Sequence, residues 1–198
     1  MIHAERYIQD SQKILSEIDL NSIENMIQLI LHTKSEGGRI FFLGVGGGAS
    51  HASHAVCDFR KLAKIEAYSP ADNVSEVTAT TNDDGWEKTY VQWLQTSKVN
   101  SKDLVFVISV GGGDQKHNIS MNIINALHYA QETGAKITGI TGRKNGHTAQ
   151  VANASVVIPS VNPTLLTALT ESFQAWVWHL IISDPRIQEV DMKWESTS

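Results

Sequence analysis

A chain of 198 residues with 41% hydrophobic and 19% charged content has room for one domain with a sizeable core and little room for a second. Its formal charge of −5 argues against nucleic acid as the principal partner. The one cysteine, Cys57, rules out an intrachain disulfide and fits a reducing, cytoplasmic setting.

The N-terminal MIHAERYIQD lacks the apolar core of a targeting signal. The first 36 residues read as helix, with Asn21 and Glu24 as a cap pair. Ile23, Met26, Ile27, Ile30 and Leu31 form an apolar stripe at helical period, and Gly37-Gly38 stops it. RIFFLG (39–44) reads as a buried strand, 49–64 as helix and IEAYS (65–69) as a weak strand. Helices are expected at 74–81 and 86–97, split by the turn NDDG (82–85). DLVFVISV (103–110) is the clearest strand. NISMNIINALHYAQETG is a helix closed by Gly134. KITGIT and ASVVIP are strands with a short helix between them. PTLLTALTESFQAWVWHLIIS is the last long helix, with Pro163 in its first turn. Within it Glu171, Gln174 and His179 suit a buried helix and not a membrane span.

Alternating strands and helices predict an α/β fold: a three-layer αβα sandwich on a mainly parallel five-stranded sheet, with extra N-terminal helices. Ligands of such sheets sit beyond the C-terminal strand ends. Two glycine loops stand there, GVGGGAS after the first strand and SVGGGDQ after the third. Such loops turn backbone N–H groups toward an anion, and a helix N-terminus adds partial positive charge. Residues 44–49 also fit the dinucleotide pattern GxGxxA, with Glu66 downstream as that pattern expects. The next helix argues against that reading. His51, His54 and Asp58 follow at i, i+3 and i+7 on one narrow stripe, and a nucleotide loop needs no titratable groups there. His54 and Asp58 could share a metal ion or a proton; a solvated polar stripe is the plain alternative. Glu171 and His179 interrupt the apolar last helix at a separation of roughly 12 Å of rise. The plain alternative for them is a pair of satisfied core groups or an exposed helix edge. Arg60, Lys61 and Lys64, the one dense basic cluster, suit a helix C-terminus.

These residues resemble the SIS (sugar isomerase) domain family, and within it the single-domain sedoheptulose 7-phosphate (phosphoheptose) isomerases. The likeness runs over nearly the whole chain: GVGGGASHASHAVCDF, TATTNDDGWE, ISVGGGD, GITGRKNG and the helix ending in WVWHL. Gly44, Gly46, Gly47, Ala52 and His54 match the family's first motif, and Asp58 stands at its catalytic Glu. Glu171 and His179 fall on a Gln and a catalytic His of its last helix. The resemblance implies one SIS domain over 1–198 with a flavodoxin-like topology, residues 1–36 packing in a homotetramer whose sites lie at subunit boundaries. It implies Zn2+ on His54, Asp58, Glu171 and His179, and Asp58 and His179 as the acid–base pair. Gly47, Gly48, Ser109, Gly111 and Gly112 would cradle the phosphate. Asn82 and Asp83 would meet sugar hydroxyls, with plain turn chemistry as the alternative for them, and Glu171 would also bind substrate. The tryptophans Trp86, Trp93, Trp176 and Trp178 read as core or subunit contacts ahead of a sugar platform. RIQEV (186–190) mimics the family's Gln segment but lies past the helix, with no His following.

The implied activity converts sedoheptulose 7-phosphate to a manno-heptose 7-phosphate through an enediol or enediolate, for surface polysaccharide. The alternative is a non-catalytic SIS protein, a sugar-phosphate-binding regulator or adaptor. No nucleic-acid or membrane partner is expected. The departures are Val45 and Gly48 in the first loop, and in the second Val110, Gly111 and Asp114, which leave Ser109 as the surviving hydroxyl and set an acid where a phosphate would lie.

Overall fold

The computed structural model describes residues 2–193. Two helices open the chain, α1 (His3–Glu17) and α2 (Leu20–Ser35). The cap of the second helix corrects the sequence reading. Asp19, in extended conformation, accepts from Asn21 N at 2.9 Å and from Ser22 Oγ at 2.6 Å, so the cap is Asp19 and not the Asn21–Glu24 pair. Glu24 instead receives both Arg186 guanidinium nitrogens, at 2.7 and 2.8 Å. Arg186 also holds Asp184, Ile187 is fully buried, and Glu189 N donates to the Leu62 carbonyl. RIQEV is therefore a structural clasp.

Five strands follow: β1 (Ile40–Gly44), β2 (Ala67–Tyr68), β3 (Leu104–Ser109), β4 (Lys136–Thr141) and β5 (Ala154–Val157). They form one all-parallel sheet in the order β2-β1-β3-β4-β5. This is the doubly wound order whose ligand crevice opens where the winding reverses, between β1 and β3. IEAYS is weak as a strand because only Ala67 and Tyr68 pair, at the sheet edge.

Strand alternation builds the three layers. Ile40, Phe42, Leu104, Phe106 and Ile108 face a core shared with α1, α2, α3 (Gly47–Leu62) and α8 (Leu166–Ile182). Phe41, Leu43, Val105 and Val107 face the other way, onto α5 (Thr89–Thr96) and α6 (Met121–Thr133). Phe42 stacks on Phe106 across the sheet, with centroids 4.8 Å apart, and Phe59 of α3 meets its edge. At the opposite end from the glycine loops, the buried Asp103 carboxylate takes bonds from Arg39 N, Nε and Nη2 and from Asn100, tying β1 to β3.

Other boundaries shift for local reasons. The helix α4 (Val74–Asp83) runs through Asn82 and Asp83, and the chain turns only at Gly85, with φ +99°. α6 begins at Met121 instead of 118, because Asn118 and Ser120 both have φ +54°. α7 (His147–Val151) links β4 to β5. Asn162 caps a 3-10 turn over Pro163–Leu165 that leads into α8. No helix among the described residues is long and apolar enough to cross a membrane.

Candidate active site

The first glycine loop sets α3 against the sheet. Gly46 takes φ +58° at the helix N-cap. A Cβ on Gly48 would stand 2.2 Å from the Ile108 carbonyl oxygen, so only glycine lets α3 start this close to β3. A Cβ on Gly47 would stand 2.6 Å from Glu171 Oε1. The α3 N-terminus at this loop therefore already has a carboxylate of the chain beside it, where a helix dipole favours negative charge.

That contact fixes α8 beside α3. Two turns along, the His54 ring lies 4.9 Å from Trp178 and 5.5 Å from His179, centroid to centroid. Glu171 meets the start of α3 and His179 its middle, so the two helices run in the same direction. Ligand atoms of His54, Asp58 and His179 all lie within 4.8 Å of one another. His54 Nε2 is 3.8 Å from Asp58 Oδ2. His179 Nδ1 donates to the Ala175 carbonyl at 2.8 Å, which leaves Nε2 with its lone pair free. The buried Trp178 indole stacks on the His179 ring at 3.5 Å and braces it. The His54 side chain is 57% exposed and Asp58 19%, so a ligand reaches the group from outside α3 and α8.

Two imidazoles and a carboxylate with free lone pairs at this spacing fit a divalent cation. Glu171, predicted as a fourth ligand, is not part of this group; its carboxylate rests on Gly47. It also faces His51, which the α3 stripe singled out but to which no role was given. Burial lowers the His51 pKa, while the Glu171 carboxylate pulls it up and His54 and His179 push it down. Its place on α3, one turn past Gly47 and one turn before His54, sets His51 between Glu171 and the triad.

The second glycine loop is bolted down. The buried Ser109 hydroxyl accepts from Gly112 N at 3.1 Å, and Thr148 Oγ1 and N both donate to the Gly112 carbonyl. Gly112 and Gly113 have φ of +72° and +88°, and a Cβ on Gly146 would stand 2.1 Å from Gly111 O. Gly111 itself borders open space. Asp114 bridges to Ile119 in antiparallel fashion and pinches off residues 115–118. Its carboxylate takes His117 N and Nδ1, and that pairing holds its pKa below the usual range. The pinched hairpin delivers Ser120 to the N-cap of α6, where its hydroxyl makes no capping bond. Sequence reasoning missed Ser120 because it took the helix to start at 118. Asn122, two residues past that cap, is fully buried with neither amide atom hydrogen-bonded within the protein.

Asn82 and Asp83 lie exposed in the last turn of α4, bonded to each other at 2.7 Å; no hydrogen bond among the described residues joins them to the triad. Trp93 packs edge-on against Phe41, whereas Trp86 and Trp176 are partly exposed. A separate cleft of about 880 Å³, between Arg143–Asn145 and the α1–α2 corner, is lined by none of the triad residues.

The SIS domain family model matches residues 6–142. The chain is 30% identical to a probable phosphoheptose isomerase of Thermoplasma volcanium, over 89% of this chain and 87% of that one. It is 28% identical to the lincomycin biosynthesis protein LmbN of Streptomyces lincolnensis, over 88% of this chain, but spans only 65% of that protein's length. In fold it is similar to the phosphoheptose isomerase GmhA from Neisseria gonorrhoeae, with TM-score 0.78 at 21% identity, covering 91% and 92% of the two chains. The phosphoheptose isomerase from Francisella tularensis gives 0.77 at 19% identity, covering 92% and 97%. A match over most of the chain, with the same all-parallel sheet, leads to one conclusion: the chain belongs to the SIS domain family.

Proposed function

We propose that the protein is an aldose–ketose isomerase of sugar phosphates, converting sedoheptulose 7-phosphate to a manno-heptose 7-phosphate. The observation that carries this reading is the convergence of His54, Asp58 and His179 from two distant segments within 4.8 Å. A protein that only binds a sugar phosphate has no use for such a set. The names of the relatives, phosphoheptose isomerases among them, agree with it.

Enediol chemistry takes a proton from the carbon beside the carbonyl and returns one at the neighbouring carbon. Asp58 and His179 stand on different helices and can address adjacent carbons. His179 brings Nε2, kept free by the Nδ1 bond to Ala175; with an ion on that lone pair, the proton transfers would fall to the second oxygen of Asp58. Asp58 brings a carboxylate one methylene shorter than Glu, and its place on α3 beside His54 sets its reach. His54, Asp58 and His179 would hold a divalent ion, for which Zn2+ is our candidate; when bound it polarises the carbonyl and stabilises the enediolate.

The substrate phosphate belongs at the second loop, since the Glu171 carboxylate sits beside the head of α3 at the first. There the Gly111 and Gly113 N–H groups, the Ser120 hydroxyl and the α6 N-terminus offer donors, and the Asp114 carboxylate is engaged by His117 N and Nδ1. Asn82 and Asp83 are our candidates for the distal hydroxyls. The exposed Ile8 and Leu15 of α1 favour a homotetramer in which neighbouring copies close over the open triad. The product would feed heptose into surface polysaccharide from the cytoplasm.

Incubating metal-loaded protein with sedoheptulose 7-phosphate and following aldose signals by NMR tests the reading. Aldose formation supports it. Tight binding without turnover would move the protein to the sugar-phosphate-binding regulator class.

A further inference from the structure

Gly47, His51, His54 and Asp58 form one stripe of α3, at i, i+4, i+7 and i+11. Glu171, Ala175 and His179 form the facing stripe of α8, at i, i+4 and i+8. The Glu171–Gly47 and His179–His54 contacts set the two stripes in register. The groove between them therefore has two tiers. His54, Asp58 and His179 make the lower one. His51, with the Glu171 carboxylate and carbonyl facing it, makes the upper one, nearer the crevice at the strand ends. Helical spacing sets Ala175, whose side chain ends at Cβ, between Glu171 and His179.

This division has a chemical consequence. A lone pair bound to a metal ion is not available to a sugar hydroxyl. When the lower tier holds an ion, the sugar's carbonyl and adjacent hydroxyl still need a donor and an acceptor beside it, or their orientation is lost. His51 is the group so placed: the ring nitrogen not turned to the Glu171 carbonyl is open to a sugar hydroxyl, and the Glu171 carboxylate brings a further acceptor.

We propose that His51, paired with Glu171, is a substrate-orienting residue that grips the carbonyl end of the sugar directly above the His54–Asp58–His179 triad. The proposal rests on the isomerase reading for its substrate, but its test is a binding measurement that does not need turnover.

The probe is the heptitol 7-phosphate obtained by reducing sedoheptulose 7-phosphate, which carries the hydroxyls and cannot isomerise. Calorimetric titrations with this probe, and separately with Zn2+, compare the full-length wild type with His51→Ala and His51→Gln. The expected result for His51→Ala is about tenfold weaker heptitol phosphate binding with unchanged zinc stoichiometry. His51→Gln, which keeps an N–H donor and an acceptor, should recover part of the affinity. In the sedoheptulose phosphate assay, KM should rise in parallel. The proposal is overturned if His51→Ala binds the probe within twofold of wild type, or if it loses zinc, which would make His51 a metal ligand. A wild type that binds the probe but forms no aldose would sink the isomerase reading while leaving the His51 comparison readable. A wild type that binds neither probe nor sugar phosphate overturns both.

Discussion

The Glu171 carboxylate rests on Gly47, 2.6 Å from where a Cβ would stand, and this contact puts His179 of α8 level with His54 of α3. The first glycine loop and a centre two helical turns away thus share one α3–α8 register.

Gly47→Ala should push the end of a flexible glutamate side chain aside. Little stability is at stake, within about 1 kcal/mol, but the upper tier of the groove is disturbed. Gly48→Ala meets a backbone carbonyl at 2.2 Å, and the sheet cannot yield as a side chain can. It should lose about 1–3 kcal/mol or more. Urea denaturation beside steady-state kinetics separates the two: activity falls with stability kept in the first variant, and stability itself falls in the second.

The base of the sheet hangs on Asp103, whose side chain is 2% exposed and whose carboxylate is shared by Arg39 and Asn100. Asp103→Ala leaves the half-buried guanidinium and the Arg39 and Asn100 amides without their partner. A loss of about 3–5 kcal/mol in denaturant unfolding is expected. A loss below about 1 kcal/mol would show that water replaces the carboxylate.

The Glu24–Arg186–Asp184 cluster makes stability depend on pH. Its bonds from Arg186, then from Gln28, hold the Glu24 carboxyl at about 2. A glutamate in an unfolded chain titrates near ~4.3. With the folded value depressed, the contribution is complete above about pH 5 and drains away as pH falls toward 2. The melting-temperature difference between wild type and Glu24→Gln should stay positive and level from neutral pH to about 5, then shrink toward zero. A difference that grows in acid would contradict it.

Metal removal should be felt at three positions and not at Glu171. Chelation is expected to abolish turnover, and a divalent ion to restore it. His54→Ala, Asp58→Asn and His179→Ala should each lose zinc binding, while Glu171→Gln keeps the wild-type stoichiometry because its carboxylate stands on Gly47. Loss of zinc from Glu171→Gln would return Glu171 to the ligand set.

Much of this was legible in the residues. Continuous apolar runs at β1 and β3, their alternation with helices, and the α3 stripe gave layers, sheet and the His54–Asp58 pair, because these signals are local. Which α8 residue meets which α3 residue is a matter of register, and no local pattern carries it; the resemblance set Glu171 with the metal, whereas the ligand atoms within 4.8 Å of one another include His179 alone from α8. The glycines are ambiguous for a related reason. A glycine that admits a phosphate and one that admits a neighbouring backbone look alike in sequence, and Gly48 is of the second kind. Ser120 was hidden by the Asp114–Ile119 bridge, which depends on two residues at positive φ that composition does not announce.

The sharpest single measurement is kcat/KM of the metal-loaded enzyme on sedoheptulose 7-phosphate for Asp58→Asn, His179→Ala and the double variant. Groups that act as one centre lose their effect together, so each single change should cost on the order of 1,000-fold or more and the double change little beyond that. Single variants close to wild type, or losses that simply multiply in the double variant, would show that α3 and α8 do not form one catalytic centre.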